Sequence, residues 1–174
     1  MHPTKQVYLL RHAEKDPTGT LTEAGRQKAQ QMSKKLPKFQ KIICSDSRRS
    51  EETAELLTGE KPNIELRAGF YMASKEKSDL LNTIAREKNA SFLEAVVQLN
   101  DQEVLKGIDA KATELNQLID ELLTKLPPGA NALIVSHDLS ISPALSKRGV
   151  PLESIDYLSG YIIDEFGKIE TYHS

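Results

Sequence analysis

Three short apolar runs in this 174-residue chain each end in side chains that could grip and attack a phosphate dianion. Val7-Tyr8-Leu9-Leu10 leads into Arg11 and His12, Lys41-Ile42-Ile43-Cys44 into Ser45 and the Arg48-Arg49 pair, and Ala132-Leu133-Ile134-Val135-Ser136 into His137. Arginine is permanently charged, and its planar fork of donors matches phosphate oxygens. A neutral imidazole can attack phosphorus in line while neighbouring cations screen the phosphate oxygens. His12 is therefore the candidate nucleophile, Arg11 and one of the paired arginines are candidate phosphate ligands, and Ser45 is a further one. His137 would donate to charge gathering on the equatorial oxygens before water releases the phosphoryl group. Such a two-step transfer requires no metal and no other cofactor. Singly, each residue is better read as an ordinary core, helix or ion-pair residue; their convergence carries the weight.

Convergence requires elements that bring these ends together. The three runs read as strands, the last too apolar for an exposed edge and hence central and parallel. Thr22 is an N-cap candidate for an amphipathic helix over 22–36, and Ser45-Asp46-Ser47 supplies caps for one from about Arg48 to Leu57. Its N-terminus would add backbone N–H donors for an anion. Ile64-Glu65-Leu66 reads as an edge strand. Helices are expected at about 77–88, 90–99, 102–126 and 139–147, and two final strands at Tyr157–Ile163 and Lys168–Thr171. Strands alternating with helices imply an α/β sandwich whose ligands collect outside the carboxyl ends of the parallel strands.

Composition narrows the class. The chain has the length of one domain, with a helix-rich insertion or cap at about 77–126. Its 23 basic and 25 acidic residues give a net charge of −2, which leaves no global field to attract nucleic acid or an anionic membrane. The one cysteine, Cys44, excludes an internal disulfide and a multi-cysteine metal site, which fits a reducing compartment. No apolar run is long enough for a signal core or a span, so a cytoplasmic protein is expected. His2 and His173 read as mobile terminal residues.

Val7-Tyr8-Leu9-Leu10-Arg11-His12-Ala13-Glu14 resembles the strand and Arg-His-Gly/Ala signature of the histidine phosphatase superfamily, also called phosphoglycerate mutase-like. Leu21-Thr22-Glu23-Ala24-Gly25-Arg26-Gln27-Lys28-Ala29 is similar to that family's Leu-Thr-x-x-Gly-x-x-Gln-Ala segment, and Ser45 to Ala54 to its Ser-x-x-x-Arg-x-x-x-Thr-Ala helix start. Counting back four residues from Thr53 selects Arg49 over Arg48. Ile134-Val135-Ser136-His137 resembles the final strand and second histidine. Four such segments in the right order form a specific pattern. The resemblance implies a three-layer α/β/α sandwich with a mainly parallel sheet, a core of Arg11, His12, Arg49 and His137, and a metal-independent phosphatase. Residues 66–81 are most similar to the small bacterial phosphohistidine phosphatases, although Asp138-Leu139 stands where those carry Asn-Pro.

An alkoxide leaving group needs a proton, whereas an imidazole leaving group has a conjugate acid of pKa roughly 6.5. The mutase-like branch carries its acid in a Gly-x-x-Glu-Gly setting that is missing between residues 60 and 80, where Glu65 and Glu76 are merely nearby carboxylates. Asp138 resembles the His-Asp pair of the acid phosphatase branch, and it is equally suited to capping the helix that follows. Glu14 could line the pocket mouth or pair with Lys15 or Arg11. The alternatives to a phosphomonoester or phosphohistidine hydrolase are a phosphoglycerate-type mutase and a non-catalytic module that binds phosphate or a phosphoprotein. Phosphorylated small molecule or phosphoprotein, and oligomeric state, stay open at this level.

Overall fold

A computed structural model describes residues 3–174; His2 lies outside them. Six strands form one mixed sheet: β1 (Gln6–Arg11), β2 (Lys41–Cys44), β3 (Asn63–Ile64), β4 (Asn131–Ser136), β5 (Gly160–Asp164) and β6 (Ile169–Tyr172), in the order β3-β2-β4-β1-β5-β6. The first four are parallel, and β5 and β6 run antiparallel at one edge. β4 is central and pairs on both sides, with Arg11 opposite Ser136 and Cys44 opposite Val135. The ends of β1, β2 and β4 therefore lie side by side.

Two-residue alternation divides the sheet into two buried faces. Ala132 and Ile134 of β4 join Val7 and Leu9 of β1 in a core closed by α5 (Gln102–Lys125) and α6 (Asp138–Ser146). Leu133 and Val135 join Leu10, Ile42 and Cys44 on the other face, under α1 (Glu23–Ser33) and α2 (Arg48–Thr58). This is the expected three-layer sandwich. Gly160 starts β5 because a Cβ there would stand 1.9 Å from the Leu9 carbonyl oxygen. No helix among the described residues is long and apolar enough to cross a membrane.

A satellite core sits outside the sandwich. α3 (Lys75–Lys88) and α4 (Phe92–Leu99) contribute Leu81, Ala95 and Val96, which pack with Val104 and Ile108 from the start of α5. The rest of α5, with Ala112, Leu115, Leu118, Ile119 and Leu122, belongs to the main core. The helix-rich segment expected at 77–126 thus divides inside α5: the outer lobe stops near Ile108. Tyr71 anchors that lobe, its ring packed where a Cβ on Gly107 would stand 2.3 Å away.

Several local expectations are corrected. The edge strand shrinks to Asn63–Ile64, and Leu66–Ala68 forms a turn of 3₁₀ helix whose N-cap, Glu65, accepts from Arg67 N–H. β5 begins at Gly160 rather than Tyr157, because residues 157–158 turn sharply. Buried Leu158 adopts the left-handed region at φ 60° and donates its N–H to the Arg11 and His12 carbonyls. Such backbone strain in a non-glycine residue costs on the order of 1 kcal/mol and gathers at functional sites. His173 is exposed and directly follows β6, and the N–H of Ser174 donates to Ser159 Oγ at 3.4 Å.

Candidate active site

His12 and His137 lie at the ends of adjacent strands, 2% and 4% exposed, with ring centroids 5.3 Å apart. His12 Nδ1 lies 2.8 Å from the Ala13 carbonyl oxygen, which can only accept. Nδ1 therefore carries the proton, and Nε2 is left with a lone pair. Thr53, fully buried on α2, fixes this peptide by accepting from Ala13 N–H at 3.0 Å and donating to the Arg49 carbonyl at 2.6 Å. Its place four residues after Arg49 follows from helical spacing. One hydroxyl thus couples the loop after His12 to the helix of Arg49.

Arg49 bridges the two imidazoles, with Nε 3.3 Å from His12 Nε2 and one terminal nitrogen 3.4 Å from His137 Nδ1. Arg48, its neighbour, faces away and is exposed beside Arg26 and Glu52. Arg11 is held from below: one terminal nitrogen donates to the Ile155 carbonyl at 2.6 Å, and the guanidinium lies 4.1 Å over the Tyr157 ring. Its buried Nε–H has no partner among the described residues. Leaving such a buried donor unpaired costs about 1–3 kcal/mol, a cost that an anion oxygen in the cleft would relieve.

Burial dominates the electrostatics. Desolvation, followed by the charges of Arg49, Arg11 and Lys15, lowers the His12 pKa to about 3 against the opposing pull of the Ala13 carbonyl. His137 falls to about 2, first through burial and then through the charges of His12, Arg49, Arg11 and Lys15. Both rings are neutral near pH 7. A bound dianion would reverse the local field and favour an N–H on His137 facing it.

These residues line a cleft of about 530 Å³ that also takes in Lys15, Phe70, Asp138, Leu139 and Tyr157. Lys15, half-buried, has its pKa lowered by burial and by both guanidiniums. Phe70 meets the His137 ring edge-on at 4.7 Å, and its loop is pinned where Ser136 and Ser140 donate to the Ala68 and Gly69 carbonyls. Lys15, Phe70 and Tyr157 escaped the sequence reading because they sit on loops with no period. The one available signal was Tyr157, an aromatic three residues before β5.

Three expectations need revision. Ser45 is fully buried and does not line the cleft; its hydroxyl lies 2.8 Å from His137 Nε2 and 3.2 Å from Ser47 Oγ, so it meets the site through His137. Asp138 does not cap its helix, whose N-cap is His137; its Oδ1 accepts from Ile155 N–H at 2.9 Å and so clasps the loop that holds Arg11. Burial raises its pKa in spite of that bond and of Arg11. Glu14 does not line this cleft and pairs with no cation among the described residues; its carboxylate accepts from the Thr22 hydroxyl at 2.7 Å. Glu65 pairs with Arg67, and Glu76 is exposed in the first turn of α3; neither reaches the cleft. Among the described residues no group of three or more His, Cys, Asp or Glu is arranged to hold a metal.

The model of the histidine phosphatase superfamily, branch 1, matches residues 7–160. No curated protein sequence matches the chain. YhfR from Bacillus stearothermophilus is similar in structure at 23% identity, with a TM-score of 0.69 over 96% of this chain and 95% of that one. A mycobacterial glucosyl-3-phosphoglycerate phosphatase complexed with VO3 is 16% identical, with a TM-score of 0.64 over 95% and 96% of the two chains. A phosphoglycerate mutase from Bacillus anthracis is 18% identical, with a TM-score of 0.63 over 99% and 93%. At these identities the likeness speaks for the fold. The matched span contains every side chain of the bridged pair and its arginines, so the chain belongs to the histidine phosphatase superfamily, branch 1, and is an enzyme of the phosphatase type.

Proposed function

We propose that this protein hydrolyses a phosphomonoester or a phosphohistidine through a phosphoryl group held transiently on His12. The observation that carries the reading is the His12 ring itself: Nδ1–H committed to the Ala13 carbonyl, Nε2 in front of Arg49, and a pKa near 3 that keeps the lone pair available. In the first step Nε2 attacks phosphorus and the bond to the leaving group breaks. Arg11 Nε–H, the Arg49 fork and an N–H of His137 take the charge on the equatorial oxygens. Water then attacks the phosphohistidine, releasing phosphate and restoring neutral His12.

Asp138 is the acid of this scheme for ester substrates. It lines the cleft, and a raised pKa favours the protonated form that a leaving alkoxide requires. A phosphohistidine substrate would need it less. The buried Cys44, whose thiol is pushed up to about 12 by desolvation, has no part in the chemistry and suits a reducing, cytoplasmic setting.

Rapid-quench labelling with a ³²P-phosphomonoester tests the reading. An acid-labile, alkali-stable label is expected in the native enzyme and absent from His12→Ala, together with a loss of turnover of about 10⁴-fold or more. Undiminished turnover in His12→Ala sinks it. Phosphate binding that never yields a label would favour a non-catalytic module, and transfer to a second substrate hydroxyl in preference to water would favour a mutase.

A further inference from the structure

We propose that the leaving group of the substrate carries a hydrocarbon moiety of about phenyl size, seated in an apolar recess between Phe70, α3, α4 and the start of α5. This deepens the phosphoryl-transfer reading and rests on it. The recess has a volume of about 180 Å³, close to the roughly 150 Å³ that accommodates benzene in a dry cavity lined by Leu, Ile and Phe. Leu81, Val96, Val104 and Ile108 form its depth, and among the described residues no charged side chain lines it. Its polar side chains are Tyr71 and Ser78, and the Ser78 hydroxyl donates to the Ala73 carbonyl at 3.3 Å.

Position ties the recess to the reaction. Phe70, Phe92 and Leu139 line both it and the catalytic cleft, and Phe70 touches the His137 ring. Phe70, Phe92 and Leu139 thus form an apolar wall common to the cleft and the recess. The cleft's cations, Arg11, Arg49 and Lys15, all act on His12 itself, and the lobe side of the cleft adds only Asn82, Ser91 and Phe92. A leaving group bearing a carboxylate finds no counter-ion on that side. An aryl or short branched alkyl group loses only water.

The test uses two non-hydrolysable probes, 2-phenylethylphosphonate and ethylphosphonate, measured by calorimetry on the intact protein. The first is expected to bind about 10- to 100-fold more tightly. Ala73→Phe and Ser78→Leu, which fill the recess from two different elements, should each reduce that ratio to near one. Equal affinities in the native protein overturn the inference without recourse to any variant, and so does a ratio that survives both substitutions. Turnover of the corresponding phosphate esters, whose alcohols have similar acidity, separates the two readings. If the phosphonates discriminate while neither ester is hydrolysed, the recess stands and the hydrolytic reading falls; if both esters turn over at equal kcat/KM, the reverse holds.

Discussion

The strand ends and the outer lobe build the two sides of one cleft by different means. On the strand side, each functional group is fixed by a neighbour that is itself fixed: Thr53 orients the Ala13 peptide, Ala13 orients His12, and Ile155 and Tyr157 hold Arg11. On the lobe side, five buried hydrophobic residues make a small core of their own, aided by a capping box at Ser91 and Glu94 and by Lys77 pairing with Asp101 and Glu103. Solvent-accessible ion pairs of this kind contribute little. The difference teaches a division of labour in which precise polar geometry sits on the parallel sheet and shape selection on a lobe that can vary without disturbing it.

Four perturbations would break or sharpen that division. Arg49→Lys keeps the charge and removes the fork that spans both imidazoles, so turnover should fall by about 10²–10³-fold with the thermal transition unmoved; a mild loss would mean that charge alone suffices. Leu81→Ala should cost the lobe about 3 kcal/mol, read as faster hydrogen exchange in α3 and α4 with β1 and β4 still protected; equal acceleration everywhere would show one cooperative unit. Asp138→Asn retains an acceptor for Ile155 N–H and removes the acid. Ethyl phosphate turnover should drop by about 10²-fold, whereas p-nitrophenyl phosphate, whose leaving group needs no proton, should barely respond. Equal losses on both esters would assign Asp138 to holding the loop. Ser45→Ala should slow turnover least, by about fivefold, the equivalent of one hydrogen bond to His137, with lobe exchange unchanged.

Much of the strand side was readable from the sequence because short apolar runs fix where strands end, and a parallel sheet aligns those ends. Arg49 rather than Arg48 followed from the resemblance of Ser45 to Ala54 to the family's helix start, and the geometry places Arg49 inward and Arg48 outward. The loops resisted. Nothing periodic places Phe70 against His137 or folds Tyr157 under Arg11, since both depend on backbone bonds made across the sheet. Asp138 at the start of a helix looks like a cap in one dimension and is a loop clasp in three. α5 is continuous in its pattern, so the point at which it leaves one core for another is set by what packs against it.

Keeping both site histidines uncharged also makes the fold vulnerable to acid. Each ring sheds its proton when the chain folds, from an ordinary value of 6.5 to about 3 for His12 and about 2 for His137. Stability from this source is complete above pH 6.5 and drains away as the medium is acidified toward those lower values. The slope is roughly 1.4 kcal/mol per pH unit for each ring. Urea titrations stepped from pH 7 to pH 4 should show it, and a double His12→Gln, His137→Gln variant should flatten it. An inert protein would thus outlast the working enzyme in acid.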